Sequence, residues 1–251
     1  MKTIQKQYTK EIHKQLGYWG TWLPSTQLNL GDIGIIRNNV FHPISSLKKE
    51  NISFSISRKK EEVSHEYASK DAVDIQNKLA GDAILPNSML NEAEAGMQID
   101  FKCKAAIYFN LNRAKTSHIE HSLALEKEII TRFENGEWEK DWVFITELIT
   151  ATECTVLISN GSNAKIEFKI DSDIEGFSNL NIGSKHQLVY EKNIAYKMLS
   201  ENKTTPLFKI RGISGNWFGK KIIKPKSVLF EKSIIQEKQI KLIDIEPENF
   251  N

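Results

Sequence analysis

The chain has 251 residues, of which 40% are hydrophobic and 26% are charged, with 13 glycines and 6 prolines. That composition excludes disordered and fibrous proteins, and the length is sufficient for a buried core in one large domain or two small ones. A net charge of +2 lies far from the strongly basic balance of a dedicated nucleic-acid-binding protein.

The apolar segments and the cysteines indicate where the protein resides. No stretch approaches the roughly 18 consecutive apolar residues of a transmembrane helix, and the N-terminal sequence lacks the apolar core of a secretory signal. Cys103 and Cys154 lie in apolar-patterned strands without metal-ligand spacing, so we expect buried, free thiols. The sequence therefore predicts a cytoplasmic protein.

Residues 2–16 carry two stripes at helical spacing, which predict an amphipathic helix that ends before Gly17. One stripe is apolar. The other is basic and suits an anionic membrane surface, and it consists of Lys2, Lys6, Lys10 and Lys14. Two short strands are predicted next, at residues 28–36 and 40–44, with a turn at Asn38 and Asn39 between them.

Residues 52–112 contain two alternating segments separated by a long excursion. Ile52, Phe54 and Ile56 alternate with serines and predict a strand. Residues 58–97 are mostly charged or small, with a short helix predicted at residues 71–80. Residues 98–112 then alternate strictly, so we expect one continuous two-faced strand, well beyond the average of about five or six residues.

The centre of the chain is predicted to contain a helix and then a β-hairpin. Ser117 and Glu120 have the spacing of a capping box that opens a helix ending before Gly136. Residues 142–159 are rich in β-branched residues and predict a strand. The turn sequence at residues 160–163 connects it to the alternating residues 165–170, which predicts a hairpin.

The remaining residues complete the predicted fold class. Residues 188–199 fit either a strand or a helix, whereas residues 205–225 predict short strands with a basic cluster, and residues 226–251 form a tail that ends acidic. The class is α+β, a mixed, mainly antiparallel twisted sheet with long β-hairpins and flanking helices. We expect residues 1–225 to form one domain and residues 226–251 a separate C-terminal segment.

The sequence contains no constellation that is typical of an enzyme. His118 and His121 could present two imidazoles on one face of a helix, but no third ligand is implied, and a solvated helix start is favoured. No metal or other cofactor is predicted. A solvated basic face explains the cluster around Lys209 and Arg211 better than nucleic acid or anionic lipid does. An active site assembled from distant residues stays open.

Two alternating units have the pattern of strands that cross a bilayer, which requires about nine to eleven residues with one apolar and one wet face. The first joins residues 51–58 to 98–112, and the second joins residues 142–159 to 165–170. The residues expected to face lipid are Ile99, Phe101, Ile107, Phe109, Val156, Ile158, Ile166 and Phe168. Those expected to line a water-filled lumen are Lys102, Lys104, Lys165 and Glu167. Half-buried strands of a soluble sheet would show the same alternation, so a soluble, non-enzymatic binding or assembly module is the alternative.

Two stretches resemble the gasdermin pore-forming domain. Residues 142–159 are similar to its strand that reads aromatic-Val-Val-Thr-Glu-Val-Leu, with Phe144, Ile145, Thr146, Glu147, Leu148 and Ile149 at matching places. The N-terminal part is similar to short bacterial gasdermins, with Gly17-Tyr18, Leu23-Pro24, Asp32 and Leu47 in corresponding order. The resemblance implies a gasdermin-like fold and a cytoplasmic, latent pore-forming protein of antiphage defence, which oligomerises in the inner membrane after proteolysis.

The resemblance also implies a restraint and a mode of membrane binding. An inhibitory C-terminal segment would hold the protein latent through Leu229, Phe230, Ile234, Ile235, Leu242 and Ile245. An activating protease would cut within residues 200–205 or 213–225. Bacterial gasdermins typically carry a lipid-accepting cysteine near the N-terminus, and here no cysteine precedes Cys103. Membrane binding would then depend on the basic helix together with Lys220, Lys221 and Lys224.

Overall fold

The computed structural model describes residues 4–170, 186–213 and 240–247. The elements in chain order are α1 (Ile4–Leu16), β1 (Trp19–Gly20), β2 (Asp32–Arg37), β3 (Val40–Ser46), β4 (Ile56–Ala68), β5 (Val73–Lys78), β6 (Ala95–Phe101), β7 (Ile107–Ile119), α2 (Leu123–Glu134), β8 (Val143–Ala151), β9 (Glu153–Ser159), β10 (Ala164–Ile170), β11 (His186–Lys192), β12 (Ile194–Ser200), β13 (Thr204–Ile213) and β14 (Leu242–Asp244). The described part of the chain is therefore mostly β-structure with two helices, as predicted for the α+β class.

Ten strands form the larger of two antiparallel sheets, which we call the large sheet. Its main path runs β1-β13-β8-β7-β9-β12, while β2, β3, β4 and β14 pair at its sides. The long strand β7 pairs with β4 on one edge, and on the other edge it pairs first with β9 and then with β8. The predicted strand at residues 142–159 is thus two successive strands, β8 and β9, that share β7 as their partner.

The other four strands form the small sheet, in the order β5-β6-β10-β11. It consists of two hairpins, β5–β6 and β10–β11, which join where β6 pairs with β10 and Ile99 lies opposite Ile166. The two sheets share a core, because Tyr108 and Leu157 of the large sheet pack in one cluster with Ile99 and Phe168 of the small sheet.

Helix α1 covers the opposite face of the large sheet. Its Tyr8 and Ile12 are fully buried against Phe109 and Val156. The apolar stripe of the predicted helix therefore faces the core as expected from its spacing. Strands β7 and β9 lie between two layers of protein, with α1 on one side and the small sheet on the other.

The prediction of one continuous strand at residues 98–112 was wrong. The chain turns after Phe101, and β6 and β7 belong to different sheets. Ala105 has the left-handed φ of +60°, and its N–H donates to the carbonyl of Ser159, whose hydroxyl donates to the carbonyl of Cys103 at 2.6 Å. Cys103 is therefore exposed in the turn, not buried in a strand, whereas Cys154 is buried as predicted.

The predicted hairpin of residues 142–159 with 165–170 was also wrong. Strand β9 pairs with β7 and β12, whereas β10 pairs with β6 and β11. The tight turn at residues 160–163 takes the chain from the large sheet to the small one, so it does not close a pair of neighbouring strands. The other predicted unit is also corrected, since residues 56–58 of β4 pair with residues 117–119 of β7 and not with residues 98–112.

Three local predictions needed correction as well. Residues 71–80 contain strand β5 where a helix was predicted, and the excursion at residues 58–97 begins with the long strand β4. The predicted capping box at Ser117 lies in β7. Helix α2 instead begins after Ser122, whose hydroxyl accepts hydrogen bonds from the N–H groups of Ala124 and Leu125.

Candidate functional site

The small sheet has two chemically different faces. Alternate residues of its strands point to opposite sides. Between β6 and β10, the register places Ile99 opposite Ile166 on one side and Gln98 opposite Glu167 on the other. The face that packs on the large sheet, which we call the apolar face, contains Asn77 and Glu191 on the two edge strands, and its apolar side chains include Val73, Ile75, Met97, Ile99, Phe101, Ile166, Phe168 and Ile170. The other side, which we call the polar face, includes Asp74, Gln76, Lys78, Gln98, Asp100, Lys165, Glu167 and Lys169.

The polar face is covered by the connection between β5 and β6, residues 79–94, which we call the strap. Lys78, the last residue of β5, directly precedes the strap and is only 1% exposed. Its Nζ donates to the carbonyls of Leu79 at 3.2 Å, Glu92 at 3.1 Å and Glu94 at 2.8 Å. All three ammonium hydrogens thus have acceptors within the strap, which makes burial of this charge tolerable.

Strand β10 holds the middle of the strap with two charged side chains. The Lys165 Nζ donates to the carbonyl of Asn87 at 2.6 Å. Glu167, which is fully buried, accepts from the N–H of Met89 at 2.8 Å and from the hydroxyl of Ser88. Hydrogen bonds to charged groups are stronger than neutral ones, so these contacts fix the strap against the sheet.

Packing and an ion pair hold the rest of the strap. Leu90 is buried over Gly96, where a side chain on Gly96 would come within 2.2 Å of a Leu90 methyl group. Glu94 forms an ion pair of 2.6 Å with Lys169. The hydrogen bond from Lys169 and that from the Asn91 N–H lower the pKa of Glu94 below its ordinary value. At neutral pH, the Glu94 carboxylate is therefore ionised in the folded protein.

The predicted lipid-facing residues divide between the two sheets. Ile99, Phe101, Ile166 and Phe168 lie together on the apolar face of the small sheet. The other four lie in the large sheet beneath α1, and they are Ile107, Phe109, Val156 and Ile158. The structure therefore brings only half of the predicted set into one surface.

The predicted lumen residues also divide. Lys165 and Glu167 lie on the polar face as their alternation predicted, although the strap buries both. Lys102 and Lys104 are instead exposed in the turn between the sheets, because the chain leaves the small sheet after Phe101. Sequence reasoning missed Lys78, since residues 71–80 were assigned to a helix. The alternation of Val73, Asp74 and Ile75 was the available signal.

Part of the predicted membrane-binding surface can be located. Lys6 and Lys10 are partly exposed on α1, and Lys14 is exposed near its end. Lys2, Lys220, Lys221 and Lys224 lie outside the described residues.

Two of the six predicted restraint residues are described, and both are buried: Leu242 and Ile245. Strand β14 pairs with β13, and the Arg211 guanidinium donates to the carbonyl of Leu242 at 2.9 Å. The indole N–H of Trp19 donates to the carbonyl of Ile245 at 2.8 Å, and Glu246 forms an ion pair with His13 of α1. The segment thus binds the large sheet and α1. Leu229, Phe230, Ile234 and Ile235 lie outside the described residues.

A surface pocket between α2 and β14 contains titratable groups, but these groups have structural partners. His121 contacts the Arg211 guanidinium, and Glu126 accepts a hydrogen bond from the N–H of Leu242. No group of three or more metal-ligating side chains occurs within the described ranges. Neither α1 nor α2, the two helices of those ranges, is long and apolar enough to cross a membrane.

No protein-family model matches this chain, and no curated protein matches it either.

Proposed function

We propose that the protein is a latent, gasdermin-like pore former whose small sheet becomes its membrane-spanning part. One observation carries the proposal. The small sheet consists of two adjoining hairpins, and its two central strands, β6 and β10, carry apolar side chains on one face and mainly polar or charged side chains on the other. Strands that cross a bilayer require such a division between a lipid side and a water side.

In the latent state, the large sheet takes the place of lipid. Tyr108 and Leu157 cover the apolar face of the small sheet, and both are fully buried. On activation, the apolar face exchanges this contact for hydrocarbon, while the polar face becomes wet. Lys165 and Glu167 then line the lumen, as do Lys78 and Lys169.

Insertion requires longer strands than the latent state contains. Strands β5, β6, β10 and β11 have six or seven residues each, whereas a bilayer requires about nine to eleven. The strap directly continues β5 and β6, so its residues extend the first hairpin once they leave the polar face. Several copies of the chain must associate, because the four strands of one copy cannot enclose an aqueous pore.

The C-terminal segment provides the restraint in this proposal. It binds α1 through His13 and Glu246, and it binds β1 through Trp19 and Ile245. Cleavage by a protease before this segment lowers its effective concentration at those sites, so that it dissociates. Helix α1 is then free to place its lysines on an anionic leaflet of the inner membrane.

Dye release from anionic vesicles tests the proposal. A recognition site for a specific protease is introduced between residues 213 and 225 of the full chain. Cleavage should convert an inactive protein into one that releases dye, whereas the uncut protein and a chain with a non-cleavable site should release none. Absence of release after the C-terminal segment has been removed would contradict the pore and favour a protein that stays folded.

A matched pair of substitutions tests the assignment of the small sheet. Ile75 and Gln76 are neighbours on the edge strand β5, both are partly exposed, and they lie on opposite faces. Ile75→Lys puts a charge on the lipid side, which costs about 2–4 kcal/mol near the bilayer centre, and should abolish dye release. Gln76→Lys puts the same charge on the wet side and should preserve it. Equal release by both variants would show that another part of the chain inserts.

A further inference from the structure

The outer surface of the strap is apolar. Leu79 is 49% exposed, Ile84 is 52% exposed and Met89 is 65% exposed. The other large hydrophobic side chains that are similarly exposed lie singly on separate elements, at Leu23, Ile44, Ile56, Leu123 and Leu199. The strap thus concentrates three exposed apolar side chains in a single connection, on the side opposite to its contacts with the small sheet.

The charged side chains of the strap are all acidic. Residues 79–94 contain no lysine or arginine, and their acidic residues are Asp82, Glu92 and Glu94. The Asp82 carboxylate accepts from the N–H of Leu79 at 2.8 Å, and Glu94 is paired with Lys169. Glu94 is thus paired with a cation, whereas Asp82 and Glu92 stay exposed anions, so attraction to a bilayer interface has to come from the apolar side chains Leu79, Ile84 and Met89.

The outward side chains are connected directly to the inner contacts. The N–H of Met89 donates to the buried Glu167 carboxylate, while the Met89 side chain points outwards. The carbonyl of Leu79 accepts from the buried Lys78, and the Leu79 side chain is likewise exposed. Movement of either side chain into lipid therefore pulls on a hydrogen bond that closes the strap over the polar face.

We propose that the strap is a membrane-contact segment, and that entry of Leu79, Ile84 and Met89 into the bilayer interface releases it from Lys78 and Glu167. This inference rests on the proposed function and assigns the step that uncovers the polar face. The strap is held mainly by polar contacts on its inner side, and Leu79, Ile84 and Met89 are already exposed, so among the described residues lipid displaces no protein surface from these side chains. Contact of the strap with the membrane and exposure of the polar face of the small sheet are thereby one event.

A double substitution on the outer side tests the contact. The full chain with the engineered protease site is cleaved and mixed with phosphatidylethanolamine vesicles containing phosphatidylglycerol, and flotation and dye release are measured. Ile84→Glu with Met89→Glu should reduce flotation about tenfold, since two exposed apolar groups become charged. Leu123→Glu with Leu199→Glu, which alters exposed leucines outside the strap, should float like the unsubstituted protein. Both pairs are exposed, so thermal unfolding should be unchanged.

The outcomes separate the contact from the pore. Flotation that depends on Ile84 and Met89, without any dye release, would support the contact and overturn the pore. Dye release that survives both substitutions unchanged would support the pore and overturn the contact. If the cleaved protein does not float at all, both are overturned. If the Leu123 and Leu199 pair reduces flotation equally, the strap has no special part in binding.

Glu167→Gln tests the coupling to strap release. The amide keeps the size of the side chain and one acceptor oxygen but loses the negative charge that strengthens the bonds from Ser88 and Met89. The variant should release dye about fivefold faster, with faster hydrogen exchange confined to the strap before lipid is added. Faster exchange of the strap with an unchanged rate of dye release would overturn the coupling.

Discussion

The two sheets differ in what covers their faces. In the large sheet, Phe109 of β7 packs under α1 and its neighbour Tyr108 packs against the small sheet, so both faces of this strand are covered by other layers. In the small sheet, Ile166 of β10 packs against the large sheet, whereas its neighbour Glu167 accepts hydrogen bonds from Ser88 and Met89 of the strap. Among the described residues, the large sheet thus covers one face of the small sheet, and the strap covers the other.

This difference shows which strands can change their surroundings. A strand that is buried on both faces has to lose two sets of contacts at once. If such a strand then crossed a bilayer as part of a pore, one of its apolar faces would have to line the aqueous lumen. The small sheet has already separated its apolar and charged side chains. In the proposed mechanism the large sheet is therefore the scaffold, and the small sheet is the part that leaves it.

A matched pair of phenylalanines should show the largest effect. Phe109 and Phe168 are both fully buried, one in each sheet. Phe109→Ala should lower the free energy of global unfolding by about 3–5 kcal/mol, because β7 is a strand of the large sheet that lies between α1 and the small sheet. Phe168→Ala removes the same group from the small sheet and should increase hydrogen exchange in β5, β6, β10 and β11 while β7 stays protected.

Hydrogen exchange with mass spectrometry and urea unfolding measure the two responses. If Phe168→Ala accelerates exchange in β7 to the same extent as in β10, the two sheets open as one unit. The small sheet would then have no independent movement, and the distinction between a scaffold and a detachable sheet would be wrong.

The next largest effect should come from the contacts of the strap. Lys78→Met preserves most of the side-chain volume but removes the donor for three carbonyls, which should cost about 1–3 kcal/mol of strap stability. Lys169→Met removes a partly exposed ion pair with Glu94, which solvent screens, and should therefore cost less than Lys78→Met. Limited proteolysis within residues 79–94 measures both, and a larger effect of Lys169→Met would contradict the assigned role of Lys78.

The sequence predicted what depends on local pattern. Helix α1, the β2–β3 hairpin with its turn at Asn38 and Asn39, and the two faces of β10 follow from periodicity and turn chemistry. Both asparagines have positive φ, which this residue type tolerates better than most. Each of these features is determined by residues that are close together in the chain.

Strand pairing could not be predicted, because alternation defines the faces of a strand and not its neighbours. The alternation at residues 98–112 continues through the turn after Phe101, where no glycine or proline marks a break. The turn depends on Ser159, which is distant in the sequence and binds the backbone of Cys103, Ala105 and Ala106. The role of Lys78 could not be predicted either, because its acceptors are backbone carbonyls, and backbone positions in a loop leave no pattern in the sequence.

The smallest effect should be a difference in pH dependence between the two regions. His65 lies on β4 of the large sheet, and its partial burial lowers its pKa from the ordinary value of 6.5. The unfolded chain therefore binds the proton first, so the free energy of unfolding should fall as the pH drops below about 6.5.

The pKa of Glu94 in the strap is also lowered, from 4.5, chiefly by the hydrogen bond from Lys169. Its contribution is present above about pH 4.5 and is lost only as the pH falls through the lower, folded value.

The two regions should consequently lose protection in a fixed order on acidification. Hydrogen exchange, corrected for its intrinsic pH dependence, should increase in β4 between about pH 7 and pH 5.5 while residues 79–94 are unaffected, and the strap should respond only below about pH 4.5. His65→Gln should remove the first response and Glu94→Gln the second, each without changing the other. The opposite order would mean that carboxylates other than Glu94 control the strap. The polar face would then be uncovered under milder conditions than its contacts imply, and the separation between a stable scaffold and a membrane-released sheet would not hold.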